Sequence, residues 1–154
     1  MALNPARPYS AFLGPHLTAA GLTYADLNAA KRLLMLQFWR NTGPVNPDFP
    51  LAIADAGSVP YHALARETVT EYAGQSLAFE TFLLKSPDAK QSYRWFTFPS
   101  MTADEVLIFR TYDSRQEDAA LPYWTPHTAF PNPDPAARDR FRYSCEMRAL
   151  CLFH

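Results

Sequence analysis

The chain has 154 residues, 48% of them hydrophobic, and a formal charge of −1 at pH 7. That apolar fraction argues against disorder, the near-neutral charge against a nucleic-acid-binding protein, and no apolar run comes near the ~18 residues of a membrane span. A chain of this size buries one real core, so a single domain over residues 1–154 is expected, and 14 prolines against 5 glycines with 14% aromatic residues favour a β-rich fold with stiff loops.

The N-terminal Met1-Ala2-Leu3-Asn4-Pro5 has no charged stretch leading into an apolar one, so no secretory signal is read and a cytoplasmic location is expected. Thr23 and Asp26, followed by Leu27, Ala30, Leu33 and Leu34, predict one long helix near residues 23–35. From Leu34 to Trp39 the chain is expected to continue as an extended, buried segment before Gly43-Pro44 and Asn46-Pro47 break it. Leu51-Ala52-Ile53-Ala54 reads as a short buried strand, and residues 68–72 and 77–84 as paired strands turning at Ala73-Gly74. Further strands follow at 93–98 and 106–112. Between them Thr102-Ala103-Asp104-Glu105 has the spacing of a capping box, enough for one helical turn. Pro131-Asn132-Pro133-Asp134-Pro135 is a rigid loop before the last strand.

In that last strand, Phe141, Tyr143, Cys145, Met147, Ala149, Cys151 and Phe153 alternate with Arg142, Ser144, Glu146, Arg148, Leu150 and Leu152. Period 2 over such a length is a strand, and its first, apolar set is expected to face the core. The second set is polar up to Arg148 and apolar beyond it, so Arg148 sits where the face passes from water or a pocket into a buried region. Arg148 fits either a solvent-facing arginine or a pocket arginine aimed at an anion. Cys145 and Cys151 have no partners at metal-ligand spacing and are expected as buried free thiols.

Several segments taken together resemble one family. They are Gln37-Phe38-Trp39-Arg40; residues 50–59, Pro-Leu-Ala-Ile-Ala-Asp-Ala-Gly-Ser-Val; residues 93–105, from Tyr93-Arg94-Trp95 to Ala103-Asp104-Glu105; Phe109-Arg110-Thr111-Tyr112-Asp113-Ser114; and Pro126-His127-Thr128-Ala129-Phe130, followed by Ser144-Cys145-Glu146-Met147-Arg148. In order and spacing, across residues 33–153, the chain resembles the fungal and bacterial hydroxylase/desaturase family of iron(II)- and 2-oxoglutarate-dependent oxygenases, whose relatives include the cephamycin C7-methoxylation component. The resemblance implies a mainly β fold, a double-stranded β-helix of the jelly-roll or cupin kind, shortened at the N-terminus. It implies that His127 stands at the distal iron-binding histidine and Arg148 at the arginine that pairs with the 2-oxoglutarate carboxylate.

Such an oxygenase needs two histidines and a carboxylate on one face of the iron. The family's upstream His-x-Asp has no counterpart, since neither His-x-Asp nor His-x-Glu occurs in the chain. His16 and His62 read as surface or loop residues. No metal and no cofactor are therefore expected. The pocket is read as emptied of iron but still lined by Arg40, Arg110, His127 and Arg148, with a small molecule as its substrate.

The leading expectation is a metal-independent enzyme of specialised metabolism catalysing a rearrangement, cyclisation or dehydration. Its catalytic candidates are His127, Arg148, Glu146 and Asp113, and its substrate-binding candidates are Arg40, Arg110, Trp95 and Gln37. Asp113 also fits a strand-ending turn in which Asp bonds its own backbone. The alternatives are an iron and 2-oxoglutarate oxygenase with non-standard ligands, and a non-catalytic binding subunit of another biosynthetic enzyme. A homodimer is expected, in which the N-terminal segment or the helix covers an open sheet edge.

Overall fold

The computed structural model describes residues 10–71, 79–88, 92–118 and 124–154. Helix α1 spans Ser10–Ala19 and ends where Gly21 takes a left-handed φ of 66°, which lets Leu22 N donate to Leu17 O at 2.9 Å. It is not among the elements expected from the sequence, and it carries Pro15 within it. Helix α2, Tyr24–Ala29, starts as the sequence indicates: Asp26 N donates to Thr23 Oγ1, and Thr23 N donates to Asp26 Oδ2 at 2.7 Å.

The helix expected to reach residue 35 stops at Ala29, and strand β1 occupies Arg32–Asn41. Leu33, Leu34, Met35 and Leu36 are good helix formers, but each finds a strand on both sides or at its flank. Lys31 N donates to Phe153 O at 2.8 Å, and β1 then pairs along its whole length with the C-terminal strand. Tertiary pairing overrides local propensity here.

The remaining strands are β2 (Leu51–Ala54), β3 (Leu64–Val69), β4 (Phe79–Leu84), β5 (Trp95–Thr97), β6 (Leu107–Asp113), β7 (His127–Ala129) and β8 (Ser144–Phe153), with a short helix α3 (Ser114–Asp118) after β6. All pair antiparallel, in two three-stranded sheets ordered β6-β1-β8 and β5-β2-β7 and a β3-β4 ribbon. The fold is mainly β with eight strands among the described residues, and no closed barrel forms among them. The turn expected at Ala73-Gly74 lies outside the described residues.

Trp39 of β1, Leu51 of β2, Met101 and Phe109 of β6 form one buried cluster, joined by Ile53 and Leu107, so the two three-stranded sheets face each other across it. A second cluster, Ala54, Val59 and Ala63 with Leu64, Leu84 and Tyr93, covers the far side of β2. Thr102 and Glu105 close a single turn, with Thr102 N donating to Glu105 Oε2 at 2.8 Å.

The faces of β8 are reversed from expectation. Its register sets Arg148 opposite Gln37, Glu146 opposite Trp39 and Ser144 opposite Asn41. Gln37, Trp39 and Asn41 are buried, so the polar set of β8 is the one that shares their inner face. The apolar set looks outward: Met147 is 61% exposed and, with Phe38 and the 58% exposed Ile108, forms one row across the sheet. Cys145 is consequently an exposed free thiol rather than a buried one, and Cys151 is half-buried and also free.

Candidate functional site

Gln37, Glu146 and Arg148 make a closed set of contacts on the inner face of the β6-β1-β8 sheet. Arg148 Nε donates to Gln37 Oε1 at 2.9 Å, Gln37 Nε2 donates to Glu146 Oε2, and Arg148 Nη2 lies 3.7 Å from Glu146 Oε1. Glu146 and Arg148 are two apart on β8, hence on one face, and Gln37 stands across from Arg148 on β1. The partners fix the amide's orientation: a carboxylate only accepts and a guanidinium only donates, so nitrogen must face Glu146 and oxygen Arg148. Gln37 is 1% exposed and forms the floor, while Glu146 and Arg148 stand half-exposed above it.

His127 opens β7 in the opposing sheet. Its position is held by the preceding chain, in which Thr125 N donates to Arg110 O at 3.0 Å and Ala54 N donates to Pro126 O at 2.8 Å. His127 is opposite Ile53, and Ile53 packs on the inter-sheet cluster, so the imidazole shares that inner face. Its ring lies 4.8 Å from Phe109 and 6.0 Å from Trp124, centroid to centroid. His127 Nδ1 is 2.9 Å from Thr125 O. A carbonyl oxygen only accepts, so Nδ1 is the donor in this contact and Nε2 is the ring nitrogen it leaves unengaged. Phe109, in turn, is the cross-strand neighbour of Gln37. Phe109 is therefore in ring contact with His127 and in register with Gln37.

Other sequence candidates fall elsewhere. Arg40, expected among the substrate contacts, is on the outer face of β1, where its guanidinium donates to Ala103 O and lies 4.0 Å from Asp104. Trp95 is in register with Ala54, whose side chain belongs to the second cluster, so alternation turns the indole away from His127. Phe96, opposite Ile53, shares the face with the imidazole instead.

Asp113 and Arg110 belong to an ion cluster on the outer side. Arg32 Nε and Nη2 donate to Asp113 Oδ1 and Oδ2 at 3.0 and 2.6 Å, Arg110 Nη1 reaches Oδ2 at 3.4 Å, and Arg115 N donates to Oδ1 at 3.2 Å. The Arg32 hydrogen bonds hold the Asp113 carboxyl below its ordinary range. With its oxygens engaged and no solvent exposure, Asp113 is a structural anion rather than the acid or base the sequence suggested. The reason is local: β6 and β1 slip register between Met35 and Leu36, which sets Arg110 opposite Leu36 and Asp113 opposite Leu34. Residues three apart on a regular strand point to opposite faces, and the extra residue puts these two on the same one.

Sequence reasoning missed Phe109, Trp124, Phe82 and Arg32. Trp124, three residues before His127, lies 6.1 Å from Phe82 of β4, so a line of rings runs from the β3-β4 ribbon through the imidazole to Phe109. A separate cleft of about 390 Å³, lined by residues 98–101 and 105–107, contains none of these groups. Among the described residues no group of three or more His, Cys, Asp or Glu comes together, and the neighbours of His127 are two rings and a carbonyl. That donor set does not fit a site of two histidines and a carboxylate. No helix among the described residues is long and apolar enough to cross a membrane.

A family described as an oxidoreductase/YMDC permease-like domain matches residues 15–152. The hydroxylase/desaturase asaB of Aspergillus flavus is 32% identical over 138 residues, covering 79% of this chain and 56% of that protein. The hydroxylase/desaturase CTB9 of Cercospora beticola is 26% identical over 107 residues, covering 67% of this chain and 32% of that protein. Two solved structures of the iron and alpha-ketoglutarate-dependent endoperoxidase NvfI, one a variant and one in a different conformation, superpose with TM-scores of 0.66 and 0.67 at 24% identity. They cover 92% of this chain, which spans 50% and 49% of theirs. The jelly-roll fold is thus shared, and the chain spans about half the length or less of the curated proteins it matches.

Proposed function

The chain belongs to the oxidoreductase/YMDC permease-like domain family, a biosynthetic oxygenase family with hydroxylase/desaturase members, and from that premise we propose that it is a biosynthetic enzyme working by acid–base chemistry between its two sheets, without metal. The reaction is a rearrangement, cyclisation or dehydration of a small molecule, none of which needs an oxidant. His127 Nε2 moves the proton, and Arg148 with the Gln37 amide holds a polar or anionic group of the substrate. Phe109 and Trp124 flank the half-buried imidazole. The observation that carries this reading is the 2.9 Å contact of His127 Nδ1 with Thr125 O, which leaves Nε2 as the ring nitrogen not engaged by that carbonyl, beside Phe109 and Trp124.

Comparative metabolite profiling tests it, with wild type against His127→Ala in the same host. Loss of a positioned acid or base costs about 10²–10⁴-fold in rate, so the variant accumulates a precursor that is an isomer of the product, or one water heavier. Metal analysis of the purified protein is expected to find less than stoichiometric iron, and EDTA to leave turnover unchanged. A second reading is favoured by the names of the curated relatives: an oxygenase whose remaining iron ligands come from elsewhere in the chain or from another subunit. Equimolar iron, succinate release and a precursor one oxygen short of the product would establish that reading and remove the first.

A further inference from the structure

Strand β8 lies at the edge of its sheet. Among the described residues it pairs with β1 over its ten residues and with no strand on its other side. Thr42 N donates to Tyr143 O and Lys31 N to Phe153 O, so the odd-numbered residues of β8 turn their backbone groups toward β1. In an antiparallel ladder the N–H and C=O of one residue point the same way and the direction alternates along the strand. Those of Ser144, Glu146, Arg148, Leu150 and Leu152 therefore point to the other side. Exposed edges are ordinarily blunted by proline, lysine, a bulge or a covering segment. The β6 edge of the same sheet shows two of these devices, its register slip and the hydrogen bond from Thr125 N to Arg110 O. Strand β8 shows none of them: it has no Pro, Gly or Lys, and its register with β1 is unbroken.

We propose that a second copy of this chain pairs along that edge, β8 against β8, antiparallel about a twofold axis at Met147. Opposed residues must both turn their backbone groups across the junction or both turn them away, so the axis passes through a residue. Charge selects which one. An axis at Glu146 or at Arg148 sets that residue against its own copy, like charge on like, and an axis at Ala149 sets the two against Leu152 and Leu150. An axis at Met147 sets Glu146 opposite Arg148 of the second copy, and Arg148 opposite its Glu146. Unlike charges directly opposite stabilise a pair of strands, and like charges destabilise it. Together with the 3.7 Å contact of Arg148 and Glu146 within each chain, the four side chains then alternate in sign. On the outer face the same register brings the 61% exposed Met147 against its counterpart, and Cys145 against Ala149. The junction uses one strand twice and the β6 edge is already engaged, so the assembly closes at two chains.

Sedimentation of the full chain and cross-linking across the axis test the pairing together. Wild type at micromolar concentration should sediment at twice the chain mass. Glu146→Arg should weaken the dimer by about 10-fold, because both symmetry-related pairs become repulsive, and Arg148→Glu should do the same. The two substitutions combined should restore it by exchanging the partners. Residues facing each other at the axis have Cα atoms about 4.5 Å apart, within the reach of a disulfide. In a chain carrying Cys145→Ser and Cys151→Ser, Met147→Cys should therefore link two chains under mild oxidation on a non-reducing gel, and Ala149→Cys should not. Met147 is mostly exposed, so its substitution spares the fold and decides the question if the charge variants fail to fold. A wild-type monomer overturns the proposal. A dimer that Met147→Cys does not link, or that Ala149→Cys links instead, overturns it too. A dimer indifferent to both charge reversals places the contact on another surface and has the same consequence.

Discussion

Asp113→Asn separates a structural carboxylate from a catalytic one, because the two roles predict opposite losses. The substitution keeps the shape of a fully buried side chain and removes the charge facing Arg32 and Arg110. Removing one partner of a buried pair costs about 3–5 kcal/mol. Here the two arginine side chains are 27% and 25% exposed and regain part of their hydration, which lowers the expected cost to about 2–3 kcal/mol. At about 2–4 °C per kcal/mol for a domain of this size, the melting midpoint at pH 7 falls by roughly 5–10 °C. Differential scanning calorimetry across pH adds a second signature. A carboxylate whose folded pKa is depressed contributes stability that is complete above its unfolded value, about 3.9, and is lost as pH falls through the folded value. The gap between wild type and variant should stay constant from pH 7 to about pH 5 and close below about pH 4. A variant that melts within about 1 °C of wild type at pH 7 yet loses turnover would refute the argument and return Asp113 to the catalytic candidates.

Gly43→Ala should destabilise the fold by about 1–3 kcal/mol, read as a lowered denaturation midpoint, because a Cβ there would lie 2.9 Å from Tyr143 N, a backbone atom that cannot swing aside. A midpoint equal to wild type would show that the 42–44 and 143 backbones separate freely. The homodimer expected from an open sheet edge should give twice the chain mass by analytical ultracentrifugation at micromolar concentration. A wild-type monomer under those conditions removes the homodimer.

Where the sequence reading succeeded, one physical signal was enough. The capping box at Thr23 names a helix start because its two hydrogen bonds are local. The alternation of β8 names a strand because period 2 survives any partner. Where it failed, the deciding term was non-local. The end of α2 depends on β1 being claimed by β8, more than a hundred residues away. Alternation divides β8 into two sets but cannot say which set faces inward, and the apolar set was the natural choice. Arg40, Trp95 and Asp113 lie in the same motif segments as the other candidates, but a motif does not say which face of its strand each side chain takes. Gln37 was legible only as part of a segment. Its burial and its two partners come from register alone.

The reversal of β8 bears directly on function. A sheet that turns Glu146 and Arg148 inward and leaves Met147 and Ile108 about three-fifths exposed forgoes part of the roughly 1.5–3 kcal/mol that full burial of each apolar side chain gives. Chain connectivity does not impose that arrangement, since a one-residue slip of register would exchange the two faces. What opposes the slip is the pairing of β8 with β1 over ten consecutive residues, with Gln37 bonded to both polar neighbours. Retention of a polar inner face at that cost is expected where the face binds something polar, because a wholly apolar inner face would pack better and hold nothing. The bulge in β6 completes the separation. By turning Asp113 and Arg110 to the outer side, it sets a strong ion cluster apart from the Gln37, Glu146 and Arg148 set. Two charged groups that look alike in sequence thus lie on opposite faces of one sheet, one holding its end and the other carrying the binding role proposed for Arg148.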